Sequence, residues 1–203
     1  TALIGRCNGK VAVACFASNV ARLKTIFQAA SANGRAVALV GRSLWRINAA
    51  ARETGYLTDL PEFLEPEKMA AMDDSEILYI CTGSQGEPRA ALTRIAADDH
   101  RSVKLGEGDT VIFSSRIIPG NELAIGRLHN SLIRQGADVI SENDEDIHVS
   151  GHPARGELTE MYQLVRPQIL IPVHGEQRHL KKHAELGAEC QVPDSVLVEN
   201  GSG

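Results

Sequence analysis

The 203-residue sequence contains no long apolar run, and this absence excludes one class of protein. A helix needs roughly 20 mostly apolar residues to cross a bilayer. The longest candidates, such as Gln168 to Val173, are bounded by Arg, Pro and His. We therefore do not expect a protein that spans a membrane.

Cysteine is scarce, and no two of the four cysteines stand at a CxxC spacing. Cys15 and Cys81 each end an apolar run, which is typical of a small buried thiol in a reducing compartment. Thr1 is not an initiator Met, and no basic stretch followed by a long apolar segment resembles a secretory signal. The expected location is the cytoplasm, and the chain is expected to be a piece cut from a longer protein.

The sequence has no excess of positive charge, because its formal net charge is -5. A protein of this charge has no global attraction for nucleic acid, so any RNA would have to be bound in a local groove. Both the Walker Gly-Lys-Ser/Thr and the GxGxxG pattern are missing, which disfavours kinase-like and dehydrogenase functions.

What the first part of the chain does contain is an alternation of short apolar runs with longer amphipathic stretches. The runs predict parallel strands buried on both faces, and they cover Val11 to Cys15, Ala36 to Val40, Glu76 to Cys81 and Thr110 to Ser114. The stretches between them predict helices over Ser18 to Ala32, Ser43 to Glu53, a segment beginning at Pro88, and Asn121 to Gln135. This order predicts an α/β fold with a doubly wound, mostly parallel sheet.

The acidic run from Ser141 to Asp146 interrupts this alternation and is interpreted as a domain boundary, with a metal-binding acidic loop as the alternative. Beyond it the pattern predicts a helix, a strand, a second helix and a final strand, over about Gly156 to Val165, Gln168 to Val173, Gln177 to Leu186, and the run that begins at Ser195.

Four polar loops follow apolar runs directly, and ligands of open α/β sheets bind at the carboxyl ends of strands. They are Phe16 to Asn19, Thr82 to Pro88, Ser114 to Glu122, and His174 to Glu176. The glycines of the second loop suit either an anion site at a helix start or a tight turn, and the sequence leaves both open.

Three histidines in short loops are the strongest chemical signal. His148 and His152 flank Val149 to Gly151, and His174 follows an apolar run. A neutral imidazole binds zinc or manganese, and near neutral pH it can donate a proton to a leaving oxygen. In contrast, His179 and His183 stand beside lysines on a predicted helix, where an exposed basic face is the simpler interpretation.

Taken together, five ordered motifs resemble the ribonuclease J family, of the β-CASP branch of the metallo-β-lactamase superfamily. They are Phe16-Ala17-Ser18-Asn19, Thr82-Gly83-Ser84-Gln85-Gly86-Glu87-Pro88, Ile118-Pro119-Gly120-Asn121-Glu122, His148-Val149-Ser150-Gly151-His152 and Pro172-Val173-His174-Gly175-Glu176. The resemblance implies a β-CASP domain over residues 1–143, followed over residues 144–203 by the incomplete returning part of a metallo-β-lactamase αββα domain.

The resemblance also implies site residues. His152 matches the motif B histidine, which contacts the scissile phosphate and protonates the leaving group. His174 matches the motif C histidine, a metal ligand, and Glu176 would orient it in a catalytic role. The expected substrate-binding residues are His148, Ser150, Gly151, Ser84, Gln85 and Arg116. Arg116 could instead simply cap a strand end.

One departure from the family is large, since no HxHxDH occurs anywhere in the sequence. The resemblance implies that this motif, a further histidine and a bridging aspartate supply most ligands of the two Zn²⁺ or Mn²⁺ ions in the family, so at most a partial metal site is expected here. The hypothesis is a parent ribonuclease with 5′-to-3′ exonuclease and endonuclease activity on RNA, expected to be 5′-monophosphorylated. The fragment alone is expected to be inactive, and the full-length protein is expected to form a homo-oligomer.

Three alternatives stay open at this stage. The chain could be an RNA-binding or oligomerisation module without catalysis, or a β-CASP hydrolase that acts on another phosphodiester. It could also be a flavodoxin-like domain that binds a small phosphate ligand at Gly83 to Gly86, although this leaves the three histidines without a purpose.

Overall fold

The computed structural model describes residues 1–145, 147, 152–199 and 201. The chain divides into two compact units, Thr1–Val149 and Ser150–Gly203, close to the division predicted after residue 143. No described helix is both long and apolar enough to cross a lipid bilayer.

The first unit is built on a five-stranded sheet in which every pairing is parallel, in the order β2-β3-β1-β4-β5. Its strands are β1 (Val11–Ala14), β2 (Ala36–Val40), β3 (Ile77–Cys81), β4 (Thr110–Phe113) and β5 (Asp138–Ile140). Its helices are α1 (Ala2–Gly5), α2 (Val20–Ser31), α3 (Arg42–Glu53), α4 (Ala91–Ala96) and α5 (Glu122–Arg134), with 3-10 turns at Pro66–Met69 and Asp74–Glu76. The predicted α/β fold with a doubly wound parallel sheet is confirmed.

The alternation of side chains along each strand divides the interior into two apolar layers. Val11 and Val13 of β1 belong to one layer together with Leu23 of α2 and Leu44 of α3. Ala12 and Ala14 belong to the other layer, with Leu92 of α4 and Leu132 of α5. A strand that carries apolar side chains on both faces is stable only between two helical layers, which is why these runs lack polar alternation.

The sequence prediction missed β5 and misplaced the start of α4. β5 has only three residues and forms a sheet edge, so it carries no extended apolar run. α4 begins at Ala91 rather than at Pro88, because the Thr82 hydroxyl accepts the Ala91 N–H and the Thr82 carbonyl accepts the Leu92 N–H. These two bonds hold the residues before Ala91 in a loop.

The second unit contains α6 (Arg155–Val165), β6 (Ile169–Leu170), α7 (Gln177–Glu189) and β7 (Asp194–Ser195). β6 and β7 pair in parallel, and the apolar centre is small, with Tyr162, Leu170 and Val192 buried. The predicted strand from Gln168 to Val173 is too long, since only two of its residues pair. Its apolar side chains at Ile169, Ile171 and Val173 are 53 to 69% exposed.

The acid sensitivity of the first unit should depend on His129, which lies on α5 with its ring 4.3 Å from that of Phe113. Burial lowers the pKa of His129 below its ordinary 6.5, and nearby Asp144 opposes this in part. The unfolded chain therefore takes up a proton at a higher pH than the folded chain does. The stability gained from a neutral His129 is complete above about pH 6.5 and is lost as pH falls towards the lower folded-state pKa.

We expect His129→Phe to lose less unfolding free energy than the unsubstituted chain when pH falls from about 7.5 to 5.5. Urea titration followed by the fluorescence of Trp45, the only tryptophan and a residue of the first unit, measures this. Equal pH slopes in the two proteins would contradict the assignment to His129.

Candidate active site

Two loops of the second unit bring the imidazoles of His152 and His174 together. His152 lies just before α6, His174 lies between β6 and α7, and their ring centroids are 5.2 Å apart with an interplanar angle of 24°. Both side chains are exposed to solvent. A substrate group placed beside this stacked pair could be contacted by two nitrogen-bearing rings at once.

The turn that carries His174 has an unusual backbone. His174 has φ of +65°, in the left-handed region that few non-glycine residues adopt. At the next residue, a Cβ on Gly175 would lie 2.9 Å from the Cβ of His179, so a larger side chain would collide with the first turn of α7. Strained positions of this kind cluster at functional sites, and the tight turn points to a selected orientation for His174.

Glu176 follows this turn and begins α7. Its carboxylate lies 2.9 Å from the Arg178 Nε, and its backbone N–H donates to Nδ1 of His179 at 3.2 Å. Both carboxylate and guanidinium are largely exposed. Glu176 thus contacts residues of α7, and its role in orienting His174 stays a prediction.

A small cavity of about 330 Å³ lies beside His174, bounded by Pro172, Gln177 and Leu180 among others. The Gln177 amide donates to the carboxylate of Glu199 at 2.8 Å across it. The cavity is concave and polar enough to admit a small anion or water next to the imidazole.

In the first unit, hydrogen bonds of the Gln85 side chain link two of the predicted ligand loops, Thr82 to Pro88 and Ser114 to Glu122. Its amide nitrogen donates to the Arg116 carbonyl at 2.9 Å and to the Ser115 hydroxyl at 3.4 Å. Its amide oxygen accepts from the Ile118 N–H at 2.9 Å and from the Asn121 amide at 3.2 Å. Only 5% of Gln85 is exposed, so protein groups already occupy the side chain that was expected to bind substrate.

Two further predicted substrate contacts of this unit, Ser84 and Arg116, differ in their exposure to solvent. The Ser84 hydroxyl is buried and has no hydrogen-bond partner among the described residues. The Arg116 side chain is 70% exposed, with its Nε 3.7 Å from a carboxylate oxygen of Glu142. Arg116 is therefore the more accessible of the two. His148, Ser150 and Gly151 lie outside the described residues.

Comparison with known proteins assigns both parts of the chain. Residues 8–132 match the family described as Ribonuclease J, beta-CASP domain. The chain belongs to the ribonuclease J family. Residues 139–193 also match the Zn-dependent metallo-hydrolase RNA specificity domain.

Individual ribonuclease J proteins are similar along nearly the whole chain. The chain is 46% identical to Ribonuclease J of Sinorhizobium meliloti over 199 residues, which are 98% of the chain and 35% of that protein. Identity to Ribonuclease J of Mycolicibacterium smegmatis is also 46%, over 98% of the chain and 36% of that protein. Identity to Ribonuclease J 1 of Streptococcus pyogenes is 42%, over 96% and 35% respectively. The chain thus spans about a third of these relatives.

The described residues of this ribonuclease J family member do not form a complete metal site. No three His, Cys, Asp or Glu side chains among them are grouped closely enough to hold an ion. His174 offers an exposed imidazole as a single candidate ligand, with His152 next to it. These two imidazoles alone do not suffice to hold an ion.

The remaining histidines of the second unit have structural contacts. Nδ1 of His179 accepts the Glu176 N–H, and Nε2 of His183 hydrogen-bonds the Tyr162 hydroxyl, which joins α7 to α6. The prediction that places His152 and His174, rather than this helical pair, in the site stays a prediction.

Sequence reasoning passed over one strand end of this chain. Gly41 follows β2 directly, and Arg42 and Ser43 then begin α3. Its position after an apolar run was the signal that could have identified it. In the structure these residues line a cavity of about 1090 Å³ in the first unit.

Proposed function

We propose that the protein to which this chain belongs hydrolyses RNA phosphodiesters with metal ions, zinc or manganese, by 5′-to-3′ exonucleolytic and endonucleolytic cleavage in the cytoplasm. In this proposal residues 1–143 form the β-CASP domain that guides RNA, expected to be 5′-monophosphorylated. Residues 144–203 form the returning part of the catalytic domain. Membership of the ribonuclease J family supports the substrate class.

The observation that carries the proposal is the stacked pair of His152 and His174. Two separate loops place the ring centroids of these imidazoles 5.2 Å apart. Both side chains are exposed to solvent, where a polymer can approach. Imidazole is suited both to metal binding and to general acid catalysis near neutral pH. The pairing therefore favours a reaction centre over two unrelated surface histidines.

Each residue then has a proposed role. His152 contacts the scissile phosphate and donates a proton to the leaving oxygen, while His174 supplies one metal ligand. Glu176 orients the His174 turn, because it begins the helix on which that turn rests. Arg116 is proposed to contact the RNA backbone, because its side chain is largely exposed, and His148, Ser150 and Gly151 are proposed as further substrate contacts.

The apolar surface of the second unit supports a larger catalytic domain. Large apolar side chains are more than half exposed on α6 and around β6, at Met161, Leu164, Val165, Ile169, Ile171 and Val173. Exposed apolar groups at this density mark surfaces that pack against other protein. A larger domain, or a homo-oligomer, would cover them.

An assay of the isolated chain tests whether hydrolysis requires the longer protein. We expect it to leave a 5′-monophosphorylated RNA intact when Zn²⁺ or Mn²⁺ is added, because two neighbouring imidazoles cannot by themselves fix two ions and generate a hydroxide nucleophile. The longer protein with the same residues should degrade that RNA. Hydrolysis by the isolated chain that disappears in His174→Ala would contradict this expectation.

A further inference from the structure

The first unit contains a groove of about 1090 Å³ that is unrelated to the histidine pair and lies wholly within Thr1–Val149. It opens where β2 and β3 end, between the start of α3 and the loop before α4. Small-molecule sites are usually no larger than about 1,000 Å³, so this groove is large enough for a segment of a polymer.

The groove is basic in a protein that is acidic overall. Five arginines line it against three glutamates, whereas the whole chain has a net charge of -5, and the arginines are Arg42, Arg46, Arg89, Arg94 and Arg101. One glutamate, Glu67, is paired with Arg101 at 3.3 Å and accepts from the Ser102 hydroxyl. The electrostatic preference of the groove is therefore for an anion.

Three of these arginines are available to a ligand. Arg42, Arg46 and Arg89 are exposed, and within the described part of the chain no carboxylate lies at ion-pair distance from them. An unpaired guanidinium presents a planar fork of donors that matches the oxygens of a phosphate. An arginine whose guanidinium is already paired with a carboxylate would not present these donors to a ligand.

Helix α3 adds backbone donors to the same place. Its first residue is Arg42, and no side chain caps its N-terminus. The uncapped amides and the helix dipole favour negative charge at this end. Because Gly41 has no Cβ, the end of β2 can lie close to Thr82. A Cβ at this position would lie 2.7 Å from the Thr82 hydroxyl.

The wall of the groove includes Trp45, the only tryptophan of the chain. The indole N–H donates to the Leu39 carbonyl at 3.2 Å, which fixes the ring, and the side chain is only half-buried. A fixed aromatic ring beside unpaired arginines is the combination that binds single-stranded nucleic acid, because bases stack on the ring while phosphates pair with the cations.

We propose that this groove is an RNA-binding subsite that holds a single-stranded segment of the substrate, with phosphates on Arg42, Arg46 and Arg89 and a base on Trp45. The inference rests on the proposed function only in taking RNA as the ligand. It assigns to the first unit a contact that is separate from the cleavage residues. The lone tryptophan makes the site directly observable.

The test titrates the whole chain with a short oligoadenylate while the emission of Trp45 and the bound fraction of RNA are both measured. We expect RNA to quench Trp45. Arg42→Gln/Arg46→Gln should bind roughly 20-fold more weakly at about 0.1 M salt, because two lost phosphate contacts reduce the salt slope by about 1.4. Arg127→Gln/Arg134→Gln, two exposed positions on α5 with the same loss of charge, should bind as the unsubstituted chain does.

Every outcome separates the two proposals. RNA bound without a change in Trp45 emission, or weakened equally by both double variants, overturns the groove and leaves RNA guidance by this chain intact. No RNA binding at all overturns both the groove and RNA guidance by this chain, whereas RNA hydrolysis by the longer protein is measured by its own assay. Polyglutamate that competes as well as RNA identifies a site for acidic protein, which also contradicts the proposal. The unfolding midpoint of each variant, followed by Trp45, confirms that it is folded, and Arg89→Gln provides a second groove variant.

Discussion

Replacing His174 by alanine in the full-length protein should lower the rate of RNA hydrolysis by about 10²-fold or more, because His174 would supply one ligand to the metal site and even partners outside the ligand set are worth about 10 to 100-fold. His152→Ala should cost about 10² to 10⁴-fold, the usual contribution of one general acid. The two losses have different physical causes. Metal content should fall in the His174 variant and remain in the His152 variant.

A matched control separates these losses from a general disturbance of the second unit. His179→Gln is the matched control, since a glutamine at that helical position can still accept the Glu176 N–H. Full activity and unchanged metal content in His174→Ala would refute the assignment of a ligand.

Gln85→Leu should lower the unfolding free energy of the first unit by about 3 kcal/mol, because a buried amide with four partners is removed and those donors and acceptors stay buried. The substitution also removes the hydrogen bonds that join the loops after β3 and β4 across the end of β1. Urea unfolding followed by Trp45 fluorescence measures the loss.

Ser84→Ala is the matched control for Gln85. The Ser84 hydroxyl is buried without a partner, so its removal should change stability by no more than about 1 kcal/mol, and in the stabilising direction. If Gln85→Leu instead kept full stability and lost RNA affinity, then Gln85 would be a substrate contact, as the sequence motif suggested.

Much of the first unit could be predicted from the sequence, because most of its strands are short apolar runs. Such runs occur where both faces of a strand are covered, so the run from Glu76 to Cys81 predicts a buried parallel strand without knowledge of its neighbours, and the structure has that strand at Ile77–Cys81. β5 was missed because an edge strand of three residues has no such run, and its identity depends on pairing with β4. The second unit was harder because only two residues in each strand find a partner.

The sequence by itself determined the α/β class and most of the order of the elements, and it singled out His152 and His174 among seven histidines as a prediction, since these depend on local pattern and ordered motifs. Only the tertiary structure decided that the two imidazoles stack, that Gln85 is enclosed by protein, and that Arg42, Arg46 and Arg89 share a groove with Trp45. The physical reason is the same in each case. Spacing along a chain sets which face of an element a side chain occupies, whereas the distance between side chains from separate loops depends on how those elements pack.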